Sequence, residues 1–436
     1  MKKNKLILFF MSILLVVSGF LAGCSSNEAG SDSGDDDGKV EGEITVITQR
    51  TDIVDTVFKD YAAKFQEEYP DVEVNFEALA DYEGQIMPRM NTGDYGDVLL
   101  IPTSIPIEDI PDFFEPLGDV EEMQEEYMAI DERAVGGKVY GIPIAVNYSG
   151  IVYNKSVFEE AGISELQFTP DEFLKALEAV KEKTDAIPLY TNYAAGWTLT
   201  QWESALATVA GDPDYVNITQ PNTDDNFVPG EPHYELYKVM YDVANKGLIE
   251  KDPLTTDWET SKQMLADGDI ATMVLGSWAI GQIKALTDTP EDIGYMPFPT
   301  NAEKVLFPLS ADYNLAVNVN SENKAAAKAW VDFFINESGY PTEQAFGLSP
   351  AKDALLPDAL SEFEGTGIEF ETLTPAEEGQ EGLVDAIDKE AEIGLWTEDF
   401  KKRIVEAAIG NTDETYDEIM KDLNEDWVKA REKVAE

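Results

Sequence analysis

The chain has 436 residues, 43% hydrophobic and 10% aromatic, enough for two or three domains or two large lobes with sizeable cores. Its 86 acidic and 31 basic residues leave a net charge of −55, which repels phosphate backbones and excludes nucleic acid as a partner; the acidic surface reads as solvation rather than as a cation site. A single cysteine, Cys24, excludes disulfides and cysteine metal sites, and a single histidine, His233, excludes a multi-histidine zinc site and argues against a Ser-His-Asp triad.

Residues 1–5 are cationic, residues 6–20 are apolar apart from Ser12, Ser18 and Gly19, and Leu21-Ala22-Gly23-Cys24 follows. These are the parts of a secretion signal over 1–23, and the apolar run falls short of the roughly 20 residues a spanning helix needs. The small-residue site ending in cysteine resembles the lipobox of bacterial lipoproteins, which implies a diacylglycerol on Cys24 and a place at the outer face of the cytoplasmic membrane, in a Gram-positive source. Residues 25–42 are dominated by Ser, Gly, Asp and Glu, so 24–42 is expected to be a flexible tether. No later segment is long and apolar enough to span a bilayer.

Residues 43–49 alternate as a strand does. Asp52 is expected to cap a helix whose apolar residues Val54, Val57, Phe58, Tyr61 and Phe65 recur at helical spacing and which Pro70 ends. A strand over 72–76, a helix near 85–90 and a strand over 98–101 complete a unit that implies a parallel sheet with right-handed crossovers. The pattern resumes with a strand at 151–153, a capping box Thr169-Pro170-Asp171-Glu172 opening a helix to about 183, a short strand at 187–190 and a helix over 231–246 stopped by Gly247. His233, at the start of that helix, reads as a surface residue. The apolar run 270–275 reads as a strand buried on both faces. A strand spans 313–319, Asn323 caps a helix over 324–335, residues 365–382 form an acidic loop, and helices over 399–409 and 413–434 close the chain.

Gly136-Gly137-Lys138-Val139-Tyr140-Gly141-Ile142-Pro143, followed by Ile151-Val152-Tyr153-Asn154-Lys155 and Phe158-Glu159-Glu160-Ala161-Gly162-Ile163, resembles the central signature of extracellular solute-binding proteins of sugar ABC transporters, maltodextrin-binding proteins among them. Residues 65–74, 93–98, 168–177, 264–273 with Gly276-Ser277-Trp278, and 323–334 resemble further segments of that family in the same order, so the likeness covers nearly all of 43–436. It implies an α/β, two-lobed, type II periplasmic-binding-protein-like fold. Each lobe is a mostly parallel sheet flanked by helices, crossing segments hinge the two, and ligand lies in the cleft. The lobes are expected at 43–147 plus 312–345 and at 148–311 plus 346–436. The resemblance further implies a monomer without metal, cofactor or catalytic residues, which captures a carbohydrate, an oligosaccharide by the number of aromatics, and delivers it to ABC transporter permease subunits.

A sugar needs flat apolar surfaces for its C–H faces and planar polar side chains for its hydroxyls. Candidates are Gln49 and Arg50 after the first strand, Asn147 and Tyr148 at the implied first hinge, Trp197 and Trp278 at helix starts, Asp312 and Tyr313 at the implied return crossing, Trp396, and, more weakly, Tyr82 and Tyr95. Trp202, Trp258, Trp330 and Trp427 sit on helical faces and read as packing. Two other functions share part of this pattern. A sensor that presents bound sugar to a signalling receptor has every feature above; a secreted glycoside hydrolase needs only two carboxylates across a cleft. A polyamine ligand would suit acidic cleft residues, against the family resemblance.

Overall fold

The computed structural model describes residues 39–435 except 80–81, 166–168, 353, 355–362, 364, 378 and 381. The signal segment and the lipidation site expected at Cys24 lie outside the described residues. The strands, in chain order, are β1 (Gly42–Thr48), β2 (Val72–Ala78), β3 (Val98–Leu100), β4 (Gly118–Asp119), β5 (Lys138–Val139), β6 (Gly141–Pro143), β7 (Val146–Asn154), β8 (Ile187–Leu189), β9 (Ile270–Gly276), β10 (Ile293–Met296), β11 (Val305–Ala311), β12 (Asn314–Val317) and β13 (Ile368–Thr372). One lobe is built on the sheet β2-β1-β3-β12-β6 and the other on β13-β11-β7-β9-β8, with β10 on β7; β4 and β5 form a separate pair.

Strand direction explains where the lobes meet. In the first sheet β12 is antiparallel to both neighbours, and the other described strands share one direction. In the second sheet β7 is the reversed strand, antiparallel to β9, β10 and β11, while β8 runs with β9 and β13 with β11. The reversed strands are the two by which the chain enters a lobe from its neighbour. Each lobe points the carboxyl ends of its other strands at the junction, so a strand arriving from the junction must run the opposite way. Both sheets are therefore mixed rather than mostly parallel as expected: two of four pairings in the first and two of five in the second are parallel, because the strand imposed by the crossing sits inside each sheet and is antiparallel to every neighbour.

Three segments cross side by side. Ile144 N donates to Tyr313 O (2.9 Å) and Asp312 N to Ala145 O (2.9 Å), which ties the β6–β7 passage to the β11–β12 passage. Val146 and Leu348 exchange both backbone bonds (2.9 and 2.8 Å), which adds the segment after the helix Lys324–Asn336. Residues 349–352 then run beside 126–128, with Met128 N donating to Pro350 O at 2.8 Å.

Local chemistry sets the elements. Thr169 and Glu172 form the expected capping box on the helix Pro170–Lys183. Asp52 does not cap: its carboxylate holds Arg50, residues 51–56 turn, and the helix starts at Val57. Asn323 does not cap either, because its amide donates to Glu43 O at 2.8 Å and so fastens the helix to β1. All of β9 is buried, as a strand covered on both faces must be. The first lobe's core centres on Phe58, Phe65, Trp330 and Phe334; the second lobe's includes Trp202, Tyr237 and Trp427, and Trp202, Trp330 and Trp427 are each at most 2% exposed. His233, expected at the surface, is fully buried: Nε2 meets Glu203 Oε1 at 2.7 Å and Nδ1 meets Asn226 Oδ1 at 3.0 Å. An ion-pairing partner on a neighbouring element makes that burial tolerable.

Candidate functional site

At the junction end of β8 and β9, three indoles meet. Trp197 lies 5.1 Å from Trp258 and 5.8 Å from Trp278, centroid to centroid, and Trp258 lies 5.7 Å from Trp278. Each is the first residue of its helix: Trp197–Thr200, Trp258–Ala266 and Trp278–Lys284. A residue in that position stands at the helix end rather than along its side, so three helix starts aimed at the junction bring three rings together. Asp257 caps the second helix by accepting from Thr260 N at 2.9 Å. Lys262 Nζ sits 5.1 Å over the Trp258 ring and is held by Glu259 and Gln282, which fixes that indole by a cation–π contact. Gly276 makes room for Trp278: a Cβ there would lie 2.5 Å from Trp278 Nε1.

A row of polar side chains continues from this triad into the crossing. Ser277, between β9 and Trp278, donates from Oγ to Asn147 Oδ1 (3.3 Å), and its backbone N donates to Tyr148 O (2.9 Å). The Asn147 amide lies near enough to the Asp312 carboxylate to favour its charged form, and that carboxylate also feels the charge of Arg50. Burial at the crossing raises the Asp312 pKa; the bond from Tyr313 N, the nearby Asn147 amide and the Arg50 charge only partly offset this. Arg50 is chelated by Asp52 (2.9 and 2.7 Å) and reaches Tyr340 Oη (3.2 Å) and Gln344 O (3.4 Å), which lie in the first lobe just before the third crossing segment. Glu132 accepts from Ala311 N at 3.0 Å. Solvent reaches part of its side chain, yet desolvation by surrounding protein pushes its pKa up to about 7. A cavity of about 590 Å³ separates residues 124–131 of the first lobe from Leu309, Phe370 and Thr372 of the second.

The structure thus brings together Trp197, Trp278, Asn147, Asp312 and Arg50. Tyr313 stands beside them, its hydroxyl donating to Glu83 at 3.0 Å. Gln49 is half-buried and accepts from Thr48 Oγ1 at 3.1 Å. Four candidates belong elsewhere. Tyr148 is 1% exposed and packs on Tyr295, Phe307 and Phe370; successive strand residues face opposite ways, so a cleft-facing Asn147 sends Tyr148 into the core. Tyr82 is buried against Tyr313, its hydroxyl bridging Leu100 N and O at 2.9 and 2.7 Å. Tyr95, also buried, reaches Phe113 O. Trp396 is 53% exposed on a loop of its own, and among the described residues no ring contact joins it to the triad.

Two residues escaped the sequence reading. Trp258 carried the same signal as Trp197 and Trp278, a tryptophan directly after a helix cap. Glu132 carried none beyond lying in an acidic chain.

Residues 51–341 match the family model of bacterial extracellular solute-binding proteins. BlMnBP1 of Bifidobacterium animalis subsp. lactis, an ABC transporter binding protein solved with mannobiose, is similar at 35% identity and a TM-score of 0.84, over 91% of this chain and 96% of that one. The manno-oligosaccharide-specific BlMnBP2 of the same organism, solved with mannotriose, is similar at 33% identity and 0.84, over 92% and 96%. The multiple sugar-binding protein of Streptococcus mutans is 27% identical over 303 residues, 66% of this chain and 68% of that protein. With a family match over most of its body and relatives of this identity along nearly its full length, the chain belongs to the bacterial extracellular solute-binding proteins, a two-lobed type II fold.

Proposed function

We propose that the protein is the solute-binding component of an ABC importer, and that it takes an oligosaccharide between its lobes. The tryptophan triad carries this reading. Three indoles offer adjoining apolar faces to successive sugar rings, and the Ser277–Asn147–Asp312–Arg50 row beside them supplies acceptors and donors for hydroxyls. Since this row spans the crossing, a ligand that bonds to it touches both lobes and stabilises their closed arrangement, the state a permease reads. The lobes are those bounded near 147/148, 311/312 and 345/346. Manno-oligosaccharides of two or three units come first among ligands, because the relatives at 33–35% identity were solved with mannobiose and mannotriose. The protein acts as a monomer, held to the membrane by a lipid on Cys24.

A thermal-shift screen over mono- to tetrasaccharides tests the reading, since a ligand of the folded state alone raises the melting temperature. A rise with oligosaccharides is expected; no rise with any of them contradicts it. Shortened products after incubation would instead mark a hydrolase.

A further inference from the structure

Trp396 belongs to a second, smaller pocket in the second lobe. Its loop is built to be rigid. Lys401 Nζ, with its ammonium inside the protein, donates to the carbonyls of Gly394 (3.3 Å), Leu395 (2.6 Å) and Thr397 (2.9 Å), and Asp388 accepts from Gly394 N and Leu395 N at 2.9 and 3.0 Å. Five bonds thus hold a loop that leaves a large indole 53% exposed to water. Burying a lysine for a loop with no further role is costly.

Beneath the indole lies a recess of about 40 Å³, walled mainly by apolar side chains such as Leu206, Val216 and Leu373. Gln220 lines it, is 1% exposed, and has neither side-chain N nor side-chain O in a hydrogen bond. A buried amide unpaired at both ends is a standing cost that a ligand with a donor and an acceptor would remove. The volume admits two or three heavy atoms and no pyranose ring. The flat apolar platform is outside and the paired donor and acceptor are inside. A hexose satisfies both, with its C–H face on the indole and its hydroxymethyl arm in the recess.

We infer that Trp396 and Gln220 form an accessory hexose-binding subsite, separate from the tryptophan triad. It adjoins the triad's rim, for a Cβ on Gly196 would lie 2.9 Å from Glu398 Oε1, two residues from Trp396 and one from Trp197 on their respective loops. The choice of a sugar as its ligand rests on the carbohydrate reading of the cleft.

Fluorine NMR of the full chain labelled with 5-fluorotryptophan, with the Trp396 signal assigned through Trp396→Phe, separates the two sites. The probes are the methyl glycosides of mannose, glucose and galactose. At least one is expected to shift the Trp396 signal saturably, also in Trp278→Ala. Gln220→Leu is expected to weaken that response at least tenfold while leaving the melting temperature equal or higher. A Trp396 signal unmoved by all three probes, one that moves only with Trp278 in place, or a Gln220→Leu protein that is less stable with its response intact overturns the subsite. A shift at Trp396 with triad tryptophans that stay silent to mannobiose and mannotriose as well keeps the subsite and removes the cleft reading; triad signals that move with those oligosaccharides while Trp396 ignores the three glycosides do the reverse.

Discussion

Adjacent residues take unlike roles because backbone geometry separates them. Asn147 and Tyr148 were indistinguishable as sugar ligands by residue type, and the strand's alternation divides them between cleft and core. Tyr148→Ala is therefore expected to cost about 3–5 kcal/mol in urea unfolding, as aromatic-to-alanine changes in cores do, with saccharide affinity of the folded protein unchanged. An affinity loss at unchanged stability would put Tyr148 back in the site. The buried Glu203 is a second case. Burial acts to raise its pKa, but the His233 charge and bond, the Lys401 charge and the Tyr237 hydroxyl outweigh it, so the pKa is lowered from its ordinary 4.5. The sign follows: the pair's stabilisation is present above about pH 4.5 and disappears as pH falls through the lower folded value. Glu203→Gln should cost about 3–5 kcal/mol near neutrality by leaving His233 without its charged partner, and should flatten the loss of stability below pH 4.5. Melting temperatures across pH 3–7 check both, and an unchanged acid limb would contradict the assignment.

At the scale of elements, the sequence was most legible where one local rule acts alone. The Thr169 capping box and the apolar run of β9 needed no information from elsewhere. Asp52 and Asn323 looked like caps equally well, but each is claimed by a partner that proximity in sequence does not rank, Arg50 in one case and Glu43 O across 280 residues in the other. Trp258 is the instructive miss. Helical periodicity placed it on a face, whereas its position directly after the Asp257 cap places it at the helix end with Trp197 and Trp278. Those helix starts depend on the segments before them. Gly276→Ala, at the end of β9, is expected to push the Trp278 indole aside and weaken saccharide binding at least tenfold, with far-ultraviolet circular dichroism unchanged. Wild-type affinity in that variant would show that the indole's present position is not required.

At the scale of the molecule, two lobes joined by three hydrogen-bonded crossings give a hinge whose polar row is shared by both halves. The family resemblance made this architecture readable from order and spacing of motifs. The reversed strands β7 and β12 were not readable, since direction within a sheet is a property of long-range pairing. A captured solute is useful only near its permease, which is the part assigned to Cys24. Cys24→Ser should release the protein to the medium with saccharide affinity unchanged, and retention on the membrane in that variant would remove the anchor from the account.

The most direct test of the central claim is calorimetric titration of the purified chain and its Trp278→Ala variant with mannobiose and mannotriose. Binding of one ligand per chain, weakened at least tenfold by the substitution, or about 1.4 kcal/mol, is the predicted result. Equal affinity in the two proteins, or no heat of binding with either sugar or with any other oligosaccharide, would contradict it.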